Sequence, residues 1–371
     1  MKIIQILGMN STKYGALERF MINLASYSND DKYLLCYNQK PQSHEFLKDL
    51  SVRGIDYCCL NASGRNIILN IPRFIKLILK ERPDVIHFHF DSSFAIWTVI
   101  ARIFGVKKIF KTEHSCIHVN GANVHQKKEL SWIYRMLILN GRIYKAITKV
   151  LPVSKYVERQ MQKLYGNAIR LHQIYIGVNE PKICKSKSDM RFELGIDDNC
   201  IVISSVMFSN PIKGCDILLR AISACNIENL RVLVIGMSEE SEYTKQMREL
   251  AEDLNISTKI IWVGLTDNVA NYLVASDFYV QPSRSEALSL AAVESSSCYV
   301  PVIGSQVGGL PEIATETFKN GDFKELASKI KELADDTSKR KQLSIDARKK
   351  YESCFLLKKS VSEYCNLYHE E

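Results

Sequence analysis

Residues Gln281–Glu312 read QPSRSEALSLAAVESSSCYVPVIGSQVGGLPE, and the rest of the chain is best read outward from them. Just upstream, Phe278-Tyr279-Val280 is a short apolar strand that Pro282 stops. Glu286 and Glu294 stand eight residues apart. That is a little over two turns at about 3.6 residues per turn, so a helix through the intervening ALSLAAV would aim both carboxylates the same way. A second strand is expected over Tyr299–Gly304, followed by Gly308-Gly309 and then Pro311-Glu312, where a proline just inside a helix start leaves no N–H unpaired. The expected order is strand, acidic loop into helix, strand, glycine loop into helix. Two helix N-termini would then look onto one crevice at the carboxyl ends of parallel strands. Open α/β sheets bind ligands there, and helix N-termini favour phosphate. Taken singly, two glutamates on a helix are usually a solvated face, and a glycine pair before Pro-Glu is usually a turn. The order and spacing of the whole block give it weight.

The chain has 371 residues, long for one core and comfortable for two domains. No run of about 18 uninterrupted apolar residues occurs, so no membrane span is expected. The longest candidate, Phe94–Val106, is broken by Arg102. The opening MKIIQILGMN reads as a first β-strand and not as a cleavable leader. Eleven cysteines are scattered with no C-x-x-C, and only Cys58-Cys59 are adjacent. A disulfide framework or zinc site is not expected; buried free thiols in a reducing cytoplasm are. Charge is divided unevenly. Residues 1–178 hold 26 Lys and Arg against 12 Asp and Glu, whereas the remainder holds 23 against 29. A basic first half points to an anionic partner, either nucleic acid or a membrane surface.

Strand, loop and helix alternate throughout, as in an α/β protein. Lys2–Met9 is a strand, Asn10–Gly15 a polar loop, and Leu17–Tyr27 a helix with apolar residues at helical spacing. No G-x-G-x-x-G follows the first strand, which argues against a nicotinamide enzyme. Ile71–Glu81 is an amphipathic helix carrying Arg73, Lys76 and Lys80 near one face. Val85–Phe90 is a strand in which His87 and His89 share a face. They are a conceivable metal pair, but with no third ligand nearby they read better as structural histidines. Val106–Lys111 is a strand that leads to Thr112-Glu113-His114. Lys127, Lys128, Trp132, Tyr134, Arg135, Arg142 and Lys145 interleave cations with large apolar residues, as an interfacial helix would, although a solvated helix on an ordinary core reads equally well. The polar stretch KICKSKSD near residue 185 marks a domain boundary. Helices are expected over Ser241–Leu254, Phe323–Ala334 and Ser338–Phe355, and a strand over Lys259–Val263 ends at Gly264.

Pro282, Ser283, Glu286, Glu294, Pro301, Val302, Gly308, Gly309 and Glu312 together resemble the donor-binding block of retaining glycosyltransferases of family 4. Weaker resemblances run through the first half, at Gly15-Ala16-Leu17-Glu18-Arg19, at Asp84-Val85-Ile86-His87-Phe88-His89 and at Thr112-Glu113-His114. The resemblance implies an α/β chain of two Rossmann-like domains facing across a cleft, the GT-B fold. Its domains would be an acceptor domain at residues 1–180, a nucleotide-sugar donor domain at 181–355, and a last helix at 356–371 crossing back to the first. It further implies that Glu294 holds the ribose diol, that Glu286 holds the donor sugar or steadies charge at its anomeric carbon, and that His114 reaches the sugar or the reacting oxygen. Lys213, with loop amides around Gly15, Ala16, Leu288, Ser289 and Leu290, would stabilise the departing diphosphate, and the nucleobase would lie beside Gly264. No D-x-D occurs, and the family needs no metal or other cofactor.

Four positions depart from the family pattern. Ala287 and Ser295 replace a usual Gly and Ala, and Ala16 replaces a loop glycine. Phe208 stands where an arginine usually pairs with the lysine at position 213 to neutralise the diphosphate. One cation lost from such a site is worth several kcal/mol, and Arg284 is the nearest substitute. The function implied is retaining transfer of a sugar from a nucleotide-sugar, a UDP-sugar on family frequency, to a hydroxyl of a glycan or lipid-linked glycan. Its setting would be cell-surface polysaccharide, lipopolysaccharide or capsule assembly, in the cytoplasm and peripheral on the inner membrane face. Two rivals remain: a nucleotide-sugar 2-epimerase of the same fold, and a non-catalytic binding module. No nucleic-acid motif is present, so no nucleic-acid partner is expected.

Overall fold

The computed structural model describes residues 1–12, 14–60, 67–90, 94–116 and 145–370. The described chain divides into two compact units, Met1–Gly177 with Leu357–Glu371, and Val178–Leu356.

Each unit is built on one parallel six-stranded sheet. In the first, β1 (Lys2–Leu7), β2 (Lys32–Tyr37), β3 (Asp56–Cys59), β4 (Val85–His89), β5 (Lys108–Glu113) and β6 (Lys149–Pro152) lie in the order β3-β2-β1-β4-β5-β6. In the second, β7 (Ile201–Val206), β8 (Leu230–Ile235), β9 (Ile260–Gly264), β10 (Phe278–Gln281), β11 (Val302–Ser305) and β12 (Glu316–Phe318) lie in the order β12-β11-β10-β7-β8-β9. Both are the doubly wound order, with strand direction of travel reversing between β1 and β4 and again between β7 and β10. These switch points are where loops diverge and leave room for a ligand.

The strand sequences explain the architecture. Parallel strands covered by helices on both faces read as continuous apolar runs, and every residue of VIHFH in β4 is buried. The histidines in that run therefore need internal hydrogen-bond partners. In the second unit, helices Cys215–Cys225 and Phe323–Asp335 pack on the sheet through Leu218, Ile222, Leu326 and Ile330, all buried. At the end of the chain, Leu357–His369 is a helix within the first unit. Tyr364 meets Phe20 with ring centroids 5.3 Å apart, Tyr368 meets Phe110 at 5.3 Å, and the Tyr33 hydroxyl lies 3.7 Å from Cys365 Sγ.

Several boundaries differ from those expected. The strand expected at Tyr299–Gly304 begins only at Val302, because Tyr299 takes a left-handed backbone with φ 61° that no strand accommodates. The helix expected at Ser338–Phe355 is regular over Thr337–Lys350 and continues as a wider π turn over Tyr351–Phe355. All eleven cysteines are free thiols. Among the described residues no helix is long and apolar enough to cross a membrane. Of the expected interfacial segment, Lys127, Lys128, Trp132, Tyr134, Arg135 and Arg142 lie outside the described residues.

Candidate active site

In the second unit the site assembles at the β7/β10 switch point. The loop after β7 supplies Lys213, and the loop after β10 supplies Glu286. Lys213 Nζ stands 2.7 Å from Glu286 Oε1, and both side chains are largely removed from water. Glu286 is fixed from behind by a polar ladder rising from the strand. Gln281 Nε2 donates to Ser283 Oγ at 2.8 Å, and Ser283 Oγ donates to Glu286 Oε1 at 2.9 Å. The Tyr279 hydroxyl and Ser289 Oγ both donate to Gln281 Oε1. Burying these groups is tolerable because each has a partner.

Glu286 and Glu294 are not on one helix, contrary to expectation. Ser289 caps the helix by accepting from the Ala292 N–H at 3.3 Å, so the helix runs only over Leu290–Ser297. A serine N-cap outweighs the helix propensity of the residues before it. Glu286 therefore sits in the loop and Glu294 on the helix, with its side chain half-buried. Leu288 and Leu290, also half-buried, flank the cap. Nor does Pro311 start a second α-helix. Leu310–Glu312 is a single 3-10 turn, drawn down by buried Leu310 against Gly304, where a Cβ would come within 2.8 Å of Leu310 Cγ. Of the two expected helix N-termini, one remains. Gly264 ends β9 with φ 71° and open space on its Cβ side.

The two loops are locked together by backbone contact. Gly214 has φ 72°, and a Cβ there would lie 2.0 Å from the Pro282 carbonyl oxygen, so no other residue fits. The Arg284 N–H donates to the Ile212 carbonyl at 2.8 Å. The Arg284 side chain, proposed as the substitute cation, is instead committed to a bidentate pair with Asp216 at 2.8 and 2.7 Å and to the Pro211 carbonyl at 2.7 Å. Asp216 raises the guanidinium pKa and holds it in two hydrogen bonds, so in this arrangement Arg284 braces the loop. Phe208 is exposed, and Lys213 Nζ lies 5.5 Å from its ring centre, within cation–π range.

In the first unit the carboxyl edge carries different chemistry. Gly15 precedes the helix Ala16–Ala25, and Glu18 reaches back to accept from the Gly15 N–H at 3.0 Å and from Ser11 Oγ at 3.0 Å. The Gly15 amide, expected to meet a diphosphate or acceptor, is thus used within the loop; Ala16 opens the helix. His114 follows β5, half-buried, with its ring stacked on Phe90 at 3.8 Å. Its Nε2 lies 3.0 Å from His89 Nδ1. His89 Nε2 lies 2.8 Å from Gln5 Oε1, and His87 Nε2 lies 2.8 Å from Thr112 Oγ1. Every ring nitrogen of His87 and His89 is thus engaged internally, as structural histidines would be, and among the described residues no three His, Cys, Asp or Glu gather as metal ligands. Burial, and then the neighbouring imidazoles and Lys111, hold His87 and His114 well below the usual histidine range. Burial and Lys111 push His89 down to about 3. All three are neutral at neutral pH.

Gln5 and Gln281 were not singled out from the sequence as site residues. Gln5 lies within KIIQIL, where every other buried residue is apolar, and Gln281 closes the buried FYVQ; a lone amide in a buried strand is a legible sign of an internal polar network.

Residues 186–350 match the family model described as glycosyl transferases group 1, and residues 18–181 match that described as glycosyltransferase family 4. An uncharacterised glycosyltransferase of Methanocaldococcus jannaschii is 30% identical over 366 residues, 95% of this chain and 90% of the relative. The chain belongs to glycosyltransferase family 4. The UDP-Gal:alpha-D-GlcNAc-diphosphoundecaprenol alpha-1,3-galactosyltransferase of Escherichia coli is 25% identical over 75% of this chain and 72% of its own. Among solved structures, Anabaena HepE in complex with UDP superposes with a TM-score of 0.82 at 18% identity, covering 99% of both chains. The two Rossmann-like units of this family 4 chain are thus those of the GT-B fold.

Proposed function

We propose that this glycosyltransferase is a retaining enzyme that moves a sugar from a UDP-sugar to a hydroxyl of a glycan or lipid-linked glycan. The Lys213–Glu286 pair at the β7/β10 switch point carries the reading. A diphosphate leaving group gains charge as the glycosidic bond breaks, and an ammonium already held in place by a carboxylate stabilises it without reorganising. Glu286 holds the donor sugar and steadies positive charge at its anomeric carbon. Glu294, on the capped helix, accepts two hydrogen bonds from the ribose diol. His114 hydrogen-bonds the sugar. The acceptor hydroxyl attacks from the face the diphosphate leaves: the new C–O bond forms as the old one breaks, and the hydroxyl proton passes to a phosphate oxygen. No protein nucleophile and no metal are required. The uridine base and lipid-linked acceptor are supported by the Escherichia coli relative, whose name specifies UDP-Gal and a diphosphoundecaprenol-linked acceptor.

We further propose that the basic first unit works at an anionic membrane surface, in cell-surface polysaccharide assembly. Helix Ile67–Glu81 exposes Arg73, Lys76 and Lys80 together with Leu69 and Leu79, so its outer face combines cations with apolar groups as a headgroup layer requires. Failure to sediment with anionic vesicles at low salt would remove that part of the proposal.

The donor site is tested by thermal shift with UDP, GDP, ADP and their sugar conjugates on the wild type and Glu294→Ala. At about 100 times its Kd a ligand adds roughly 2.7 kcal/mol. UDP and a UDP-sugar are expected to stabilise the wild type alone. Binding without transfer to any acceptor would favour a binding module, and product formed without acceptor would favour an epimerase.

A further inference from the structure

In the first unit seven polar side chains form one unbroken hydrogen-bonded chain. It runs His114–His89–Gln5–Tyr368–His87–Thr112–Tyr364, with Tyr364 and Tyr368 supplied by the last helix. Each neutral imidazole in it has one N–H and one lone pair, and each hydroxyl has one proton to give. Through each imidazole the direction of one link therefore fixes the next, whereas a hydroxyl, having lone pairs to spare, can also accept on both sides.

Gln5 fixes it, because an amide has a distinct donor and acceptor end. Its two contacts measure 3.1 Å to the Tyr368 hydroxyl and 2.8 Å to His89 Nε2. The longer suits N–H···O and exceeds the usual O–H···O span of about 2.5–3.0 Å, so Nε2 faces Tyr368 and Oε1 faces His89. His89 Nε2 must then carry the proton that Oε1 accepts. His89 Nδ1 is left as a lone pair and accepts from His114 Nε2–H. In the other direction Tyr368 accepts from Gln5 and keeps its own proton to give to His87 Nδ1, the arrangement in which His87 Nε2–H donates to Thr112. Burial keeps the three rings neutral, which is what allows one tautomer each.

We propose that Gln5 and His89, closed by Tyr368 of the C-terminal helix, are positioning residues that lock His114 as its Nε2–H tautomer and present its Nδ1 as a hydrogen-bond acceptor for a substrate hydroxyl. No described residue pairs with that Nδ1. The consequence is specific: His114 recognises a donor proton and not an acceptor oxygen, and its readiness depends on a helix more than 350 positions away from Gln5 in the chain. The role in turnover rests on the reading of His114 given above; the tautomer does not.

The test is a long-range proton–nitrogen correlation spectrum of the ¹⁵N-histidine-labelled full chain, with His114 assigned by its loss in His114→Gln. The expected spectrum shows His114 protonated at Nε2 and bare at Nδ1; protonation at Nδ1, or a mixture, overturns the proposal. In Tyr368→Phe the ring stays packed while the link is cut, so the Gln5 amide is free to turn over. A mixture of His114 tautomers and a fall in kcat of roughly 3- to 10-fold with donor KM unchanged are expected. An unchanged spectrum in that variant also overturns it. Should the variant not fold, the wild-type spectrum alone decides. Wild-type turnover in His114→Gln would instead sink the functional reading of that residue and leave the tautomer decided by the spectrum.

Discussion

The two units use the same strand order and place their chemistry at the same switch points, yet the sites they build are opposites. At β7/β10 the site is ionic: Lys213 faces Glu286 at 2.7 Å, and a second pair, Arg284 with Asp216, braces the loop beneath. At β1/β4 and the adjoining β5 it is a chain of neutral imidazole, amide and hydroxyl groups. Topology thus fixes where a site lies and leaves its charge open. On the function proposed above, charges suit a unit that meets a diphosphate, and neutral directional groups suit one that tells a hydroxyl proton from a lone pair.

The largest expected effect breaks the ionic side. Lys213→Ala removes the cation proposed to face the leaving group, and the Phe208 ring beside it offers none in exchange. Turnover should fall about 10²–10³-fold, the cost of losing one preorganised charge donor at a transition state. Steady-state transfer assays check it, with a thermal melt to show the fold intact. A loss no larger than a few-fold would mean that the diphosphate is carried by the helix amides.

Acid sharpens the comparison from the neutral side. All eight histidines lie outside Val178–Leu356. His87, His89 and His114 are held neutral in the fold, whereas in the unfolded chain each protonates near pH 6.5. The unfolded state therefore binds more protons below that pH. The contribution of these rings is present in full above about pH 6.5 and is lost as pH falls towards the depressed folded values. Linkage gives about 1 kcal/mol per ring between pH 6.5 and 5.5. Hydrogen exchange read separately in each unit should show protection falling in β1, β4 and β5 over this window and holding in β7 and β10. Equal loss in both units would mean that the imidazole chain is not what acid opens.

The same contrast explains what was legible in the sequence. The ionic block was legible in place: spacing drew attention to Glu286 and Glu294, the family resemblance to Lys213, and the structure brings Lys213 and Glu286 together. What spacing could not reveal was the cap: Ser289 moves the helix start to Leu290 and takes Glu286 off the helix. The neutral chain was legible only in part. His87, His89 and His114 stand out, but their connection runs through Gln5 and Tyr368, more than 350 positions apart, and no local pattern joins residues at that separation. The α/β class followed from alternating strands and helices and the two Rossmann-like domains from the family resemblance, whereas the strand order of each sheet and the π turn at Tyr351–Phe355 came only from the structure.

The smallest expected effect decides what Arg284 is for. Phe208 leaves the proposed diphosphate site one cation short of the family pattern, and Arg284 stands two residues before Glu286, but Asp216 holds it in two hydrogen bonds. Both side chains are partly open to water, and pairs of this kind contribute about 0–1 kcal/mol. As a brace, Arg284→Ala should lower stability by no more than that and turnover by a few-fold at most, and Asp216→Asn should do the same, since either change cuts the same strap. As a diphosphate ligand that swings away from Asp216 when donor binds, Arg284→Ala would instead match Lys213→Ala, while Asp216→Asn would release the arginine and leave turnover equal or faster. Measuring the two variants side by side separates these outcomes, because the brace predicts that they move together and the ligand predicts that they part.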